Sequence, residues 1–149
     1  MKTFLQFEQS YSYALGNYKQ IADLNAASGD GNLSKSDLDN VEKYADRLYK
    51  SVGIDVEFTR HFLDRVNDVR NKKQITVAEL IRLFKQSYKK YGKKIAQLGP
   101  DAEAVLNDMQ TDVNMPFALK WDGKELDLIA KTVMRKTNFA TSNQKLSFK

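Results

Sequence analysis

The stretch RHFLDRVNDVR, residues 60–70, concentrates side chains that could do chemistry. It holds the only histidine of the chain, His61, with Arg60, Arg65 and Arg70 around it. An imidazole changes charge near neutral pH and can exchange a proton as general acid or base. A guanidinium can grip a phosphate through two parallel N–H donors. On a helix, His61, Arg65 and Asp68 fall along one flank, at spacings of four and three. The same spacing describes a salt-bridged helix edge, with His61 half-buried and Glu57, Asp64 and Asp68 as available partners. Both readings stay open at this point.

A second candidate is KQSYKKYGKK, residues 85–94, where tyrosines alternate with lysines. Lysines neutralise phosphates and tyrosines stack on bases. The charge distribution points to the same place. Residues 1–69 hold eight Lys/Arg and eleven Asp/Glu, residues 70–94 nine and one, and residues 95–149 seven of each. The net charge of +5 therefore comes from one segment, and such a segment suits a polyanion, most often nucleic acid. Its candidate contacts are Arg70, Lys72, Lys73, Lys85, Lys89, Lys90, Lys93 and Lys94. The plainer alternative is a solvated lysine-rich helix face. Tyr88 and Tyr91 also continue an apolar stripe, which would place them in the core. Gly92 is expected to free the backbone there and make a flexible basic loop.

Residues 26–37 have the outline of a calcium-binding loop, with Asp30, Gly31, Leu33, Ser34 and Asp37 at matching places. Ala26 at the first place has no ligand oxygen, and Asp37 at the twelfth is shorter than the usual glutamate. A capped helix start explains the loop better, and no metal is expected. No P-loop, GxGxxG or serine-hydrolase elbow occurs, so no cofactor is expected either. Without cysteine there are no disulfides, thiolate zinc sites or thiol nucleophiles, and the chain fits a reducing compartment. No run of about 18 apolar residues occurs, so no membrane span or membrane partner is expected. The start, MKTFLQFEQS, lacks the apolar centre of a secretory signal.

The elements that must position these groups read as follows. Residues 1–33 form an aromatic arm (Phe4, Phe7, Tyr11, Tyr13, Tyr18) and a loop, and residues 34–149 one α+β domain. Ser34 and Asp37 cap a helix whose stripe is Leu38, Val41, Ala45 and Leu48, ending at Gly53. Phe58, Phe62, Val66 and Val69 predict a second helix over 56–69. Thr76 and Glu79 form the capping box of a third, with the stripe Val77, Leu80, Ile81, Phe84, Tyr88 and Tyr91. Pro100 is expected to open a short helix through Leu106. The period then becomes two on both sides of Asp122-Gly123, which predicts a hairpin. A two-residue turn would pair Lys120 with Glu125, Leu119 with Leu126 and Phe117 with Leu128. QKLSFK makes a final strand. The fold class is α+β, with N-terminal helices packed on a small C-terminal antiparallel sheet.

Two resemblances add to this. MKTFLQF, with Phe4 and Phe7, resembles the capsid-targeting start of internal head proteins of large tailed bacteriophages. Those starts are cleaved after a glutamate with Leu or Ile two residues before it, whereas Glu8 follows Gln6. Second, HFLDRVND, ITVAEL, KKYGKKI and LDLIAKTVMRK together resemble a family of tailed-bacteriophage proteins. The order of parts is distantly similar to the RelE and colicin-type ribonuclease fold. Together the resemblances imply a virion-associated protein of the phage head, delivered into the host cytoplasm in one version. Its partners would be RNA or packaged DNA, and other virion proteins through residues 1–20. The ribonuclease similarity implies the alternative of a metal-independent, toxin-like enzyme. There His61, Arg65, Lys131 and Arg135 would be catalytic, with Arg70 at another matching position and Lys131 and Arg135 on one strand face. A third alternative is a structural protein-binding module.

Overall fold

The computed structural model describes residues 31–149. The aromatic arm and Asp30 lie outside the described residues. Helix α1, Lys35–Tyr49, starts where its spacing predicts: the Ser34 hydroxyl accepts the Asp37 N–H and the Asp37 carboxylate accepts the Ser34 N–H. Leu38, Val41, Ala45 and Leu48 are all buried. A 3-10 turn, Lys50–Val52, leads to Gly53, whose φ of 76° closes the helix in the left-handed region.

The segment 56–69 departs from the predicted helix. Strand β1, Ile54–Phe58, occupies its first part, and only α2, Phe62–Val66, is helical. Ile54 and Val56 are buried and alternate with Asp55 and Glu57, a period of two. Helix α3, Val77–Leu98, carries the Thr76–Glu79 capping box and runs 22 residues without a break. Gly92 lies buried inside it, where an added Cβ would sit 3.0 Å from the Tyr88 ring. The glycine makes room for that ring rather than opening a loop, so the lysines around it are helical. After Gly99 comes strand β2, Glu103–Asp108, and not the helix expected from Pro100; Asp101 turns the chain with φ 67°.

Strands β3, Val113–Trp121, and β4, Leu126–Ala130, form the expected hairpin. Its register is shifted by two: Leu119 faces Leu128, Lys120 faces Asp127 and Phe117 faces Ala130. The cause is the turn. Asp122 Oδ1 accepts the N–H groups of Lys124 and Glu125 at 2.8 Å each, and the Asp122 N–H bonds the Glu125 carbonyl, which gives a loop over 122–125. An even shift keeps every side chain on its face, so the hydrophobic pattern survives the error.

Strands β5, Met134–Arg135, and β6, Gln144–Phe148, complete a mixed sheet. The order is β1-β4-β3-β2-β6, with β5 beside the start of β3. The outer pairs, β1 with β4 and β6 with β2, are parallel. The class is α+β, with the helices in the N-terminal part. Helix α1 packs on α3 and β1, and α3 packs on β2 and β6. Their apolar stripes and one sheet face (Val56, Leu128, Phe117, Leu106, Leu146) form one buried cluster. Inside it the Tyr49 hydroxyl bonds Ser87 Oγ at 2.7 Å, which satisfies two polar groups that would otherwise be costly to bury. On the opposite sheet face, Ser147, Asn107 and Asn114 link three strands by hydrogen bonds of 2.8 and 2.6 Å.

Candidate nucleic-acid interface

Of the residues around His61, Arg65 lies one helical turn on, its N–H bonded to the His61 carbonyl at 3.0 Å, whereas Asp68 falls beyond the end of α2 and Glu57 on β1 before the turn at 59–61. His61 precedes α2, is exposed, and caps no backbone amide. Arg65 stands 3.9 Å from Asp68. Arg70 holds Asp68 far more closely, with Nη2 at 2.7 Å and Nε bonded to both carboxylate oxygens. These bonds pull the Asp68 carboxyl down to about 2.

Lys131 and Arg135 do not share a strand face. Strand β4 stops at Ala130 and β5 begins at Met134, so three residues interrupt the alternation. The Lys131 ammonium pairs with Glu103 on the face opposite the helices, since Glu103 is aligned with Ala118 and Ala118 with Ile129. Arg135 is aligned with Val113, a core residue, and turns towards the start of α3. A guanidinium has five N–H donors, and all five are occupied here. Nη1 bonds Glu79 Oε2 and the Thr111 carbonyl at 2.8 Å each. Nη2 bonds Glu79 Oε1 at 2.8 Å and the Gln74 carbonyl at 3.0 Å, and Nε bonds the Lys73 carbonyl at 3.2 Å. Burial alone would raise the Glu79 carboxyl, but Arg135 and the Thr76 N–H outweigh it and hold it below the usual range. Arg135 is a framework residue with no donor left for a phosphate.

The basic segment divides into two clusters. Arg70, Lys72 and Lys73 sit on the loop before α3, whereas Lys85, Lys89, Lys90, Lys93 and Lys94 lie in its second half. From Val77 to Lys89 the helix rises roughly 18 Å at about 1.5 Å per residue. The loop is rigidly built. Lys72 has φ 65° and ψ −50°, and the Lys73 N–H reaches back to the Asn71 carbonyl at 2.7 Å, a γ-turn of the strained, positive-φ kind. Buried Asn71 anchors it through the Arg65 carbonyl (2.9 Å) and the Arg135 N–H (3.0 Å).

On α3, Lys89, Lys90, Lys93 and Lys94 are exposed on two successive turns, and Lys85 is half-buried. The ammonium groups of Lys90 and Lys94 lie 5.4 and 5.9 Å from the Tyr91 ring centre. The Tyr91 hydroxyl donates to the Ser147 carbonyl at 2.6 Å, which fixes the ring against β6. Tyr88 is likewise held, edge-on to Tyr49 and bonded to the Ser51 hydroxyl. Both tyrosines are engaged with the framework, and the lysines are the exposed groups of this surface. Among the described residues, Lys90, Lys93 and Lys94 have no carboxylate partner within ion-pair distance.

One feature escaped the sequence reading. Pairing of β1 with β4 gathers Asp55, Glu57 and Asp127, whose carboxylate oxygens lie within 4.8 Å of one another. Burial, then Glu57, Asp122, Asp55 and Glu125, raise Asp127 to about 6. Asp46 on α1 is raised to about 7 by burial, with Asp55 and Glu42 acting the same way against its bond from the Val56 N–H. Among the described residues, Asp55, Glu57 and Asp127, and likewise Asp122, Glu125 and Asp127, are spaced closely enough to hold a hard cation. Such spacing is common on exposed acidic surfaces without an ion. The alternations IDVEF and KELDLIA were its sequence signal, but only the strand pairing brings them together. Comparison of the chain with protein-family models, curated proteins and solved structures found no match in any of the three.

Proposed function

We propose that the chain is a virion-associated protein of a tailed phage that contacts nucleic acid through the second half of α3, and that it binds phosphates rather than cleaving them. The observation that carries the reading is the lysine array. Lys89, Lys90, Lys93 and Lys94 are exposed on two adjacent turns, and the last three lack carboxylate partners among the described residues. Unneutralised lysines on a rigid helix meet successive phosphates and release their counterions. Arg70, Lys72 and Lys73 form a second, separate contact on the pinned loop. The phage part of the reading rests on the resemblance of MKTFLQF and of the HFLDRVND block, and the host-delivered version rests there too. The ribonuclease alternative has less support. It asks His61 and at least one of Arg65, Lys131 and Arg135 to reach one phosphate; Lys131 is paired with Glu103 and Arg135 has all five donors occupied, which leaves Arg65 alone to serve it.

The test is filter binding of the full chain to a duplex and to an RNA over a salt series, beside Lys93→Ala/Lys94→Ala. The expected slope of log affinity against log salt falls by about one per lysine removed, without regard to nucleic-acid sequence. Binding that ignores salt, or a variant with an unchanged slope, would contradict the reading.

A further inference from the structure

At each edge of the described sheet a side chain bonds an outward backbone group, and the two edges carry opposite charge. At β1 the Val56 N–H donates to Asp46 Oδ1, on α1, at 2.5 Å. At β6 the Ser147 carbonyl accepts from the Tyr91 hydroxyl at 2.6 Å and from Lys90 Nζ at 3.2 Å, both on α3. An open edge is a template for strand addition. Here one outward N–H of β1 and one outward carbonyl of β6 are already taken by side chains, which weakens strand addition at those two points.

What each edge presents is charge. Around β1 stand Asp55, Glu57, Glu125 and Asp127, and one oxygen of Asp127 is buried with no hydrogen-bond partner in the structure. Arg47 and Lys50 line a hollow here with Asp46, Asp55 and Glu125, and Lys120 is the cross-strand partner of Asp127. They leave the acids in excess. Around β6 stand Lys90, Lys93 and Lys94, with Lys145 exposed on the strand itself. The two edges are the ends of a five-strand path. At about 4.8 Å per strand they are roughly 20 Å apart, so the charge separation spans the molecule.

We propose that copies of this chain associate edge to edge, with the acidic β1 edge of one copy against the basic α3–β6 edge of the next. The occupant is a second copy because the same chain carries both complementary surfaces. Such a contact is head-to-tail and leaves one acidic and one basic edge free, so it grows with concentration instead of closing as a two-fold dimer. It joins exposed charges and therefore weakens as salt shortens the Debye length from roughly 30 Å at about 0.01 M to roughly 10 Å at about 0.1 M.

The experiment is sedimentation of the full chain over a concentration series at those two salt levels. It uses Glu57→Lys/Glu125→Lys and Lys93→Glu/Lys94→Glu, each alone and mixed. No nucleic acid is present, so the outcome is independent of the phosphate-binding reading. The expected wild-type result is a mass that rises with concentration at low salt and stays monomeric at high salt. Each reversed variant alone stays monomeric, and the equal mixture associates again at one-to-one stoichiometry. The last result is inaccessible to a variant that has merely lost its fold. A wild-type mass that stays monomeric at low salt overturns the proposal. So does association that persists in either variant alone, or a mixture that does not associate.

Discussion

Replacing Arg135 with alanine removes five hydrogen bonds that tie β5 to the loop at Lys73 and Gln74, to the hairpin end at Thr111 and to the capping box of α3. The side chains of Arg135 and Glu79 are 14% and 16% exposed, so solvent screens the pair little. Truncating one partner of a buried pair costs about 3–5 kcal/mol, and the lower end suits a pair that keeps some solvent contact. Part of that is the Glu79 carboxylate, left half-buried with only its Thr76 contacts. At about 2–4 °C per kcal/mol for a chain of this size, the melting temperature should fall by roughly 6–12 °C. Arg135→Lys should lose most of the same stability, because three donors on one nitrogen cannot span four separate acceptor groups. The assay is urea unfolding of wild type, Arg135→Ala, Glu79→Ala and the double variant, with the coupling read from the cycle. The pH dependence has a defined sign. Glu79 is depressed in the folded state, so the stability it contributes is present above the unfolded glutamate value of about 4.3 and is lost as pH falls through the folded value. A loss below about 0.5 kcal/mol, the range of an ordinary surface substitution, would refute the framework role and return Arg135 to the list of available cations.

Three further outcomes follow from the geometry. Asp46 is raised to about 7, so its ionisation opposes folding: its contribution is fully present below the unfolded value of about 3.9 and is lost as pH rises through about 7. Asp46→Asn keeps an acceptor for the Val56 N–H and should raise the urea midpoint at pH 8 more than at pH 5; equal loss at both would contradict the crowding of Asp46 by Asp55 and Glu42. Gly92→Ala should fail to gain the roughly 1 kcal/mol that helix propensity offers, because its Cβ meets a Tyr88 ring held by Tyr49 and Ser51; a gain in unfolding free energy would show that the ring yields. Lys131→Ala should leave nucleic-acid affinity within twofold in the filter-binding assay, because its ammonium is paired with Glu103 on the sheet face away from the helices; a larger loss would place that face in the interface.

The parts of the fold that were legible in the sequence are those written locally. Ser34 with Asp37 and Thr76 with Glu79 mark helix starts because a capping box is closed within three residues. The hairpin was visible as alternation around Asp122-Gly123, but its register depended on how Asp122 folds back on the amides of Lys124 and Glu125. Strand β1 was hidden because Phe58, Phe62 and Val66 keep helical spacing across a turn. Its partner β4 also arrives some seventy residues later, as in the pairing of Ile54 with Leu126. The lysine array was legible as composition, though not its division by the length of α3. The framework role of Arg135, a catalytic candidate on the ribonuclease resemblance, is hidden because nothing near it in sequence supplies its acceptors; they come from Lys73, Gln74, Glu79 and Thr111. The acidic edge was unreadable for the same reason, being assembled from α1, β1 and β4.

Binding without cleavage is tested most directly by incubating the full chain with tRNA, total RNA and duplex DNA in EDTA over a salt series, with His61→Ala alongside. Intact nucleic acid with salt-sensitive gel shifts, the same for both proteins, is the expected result and makes His61 an exposed residue ahead of a short helix. RNA cut by the wild type and left whole by His61→Ala would contradict it and put a catalytic site at the turn between β1 and α2.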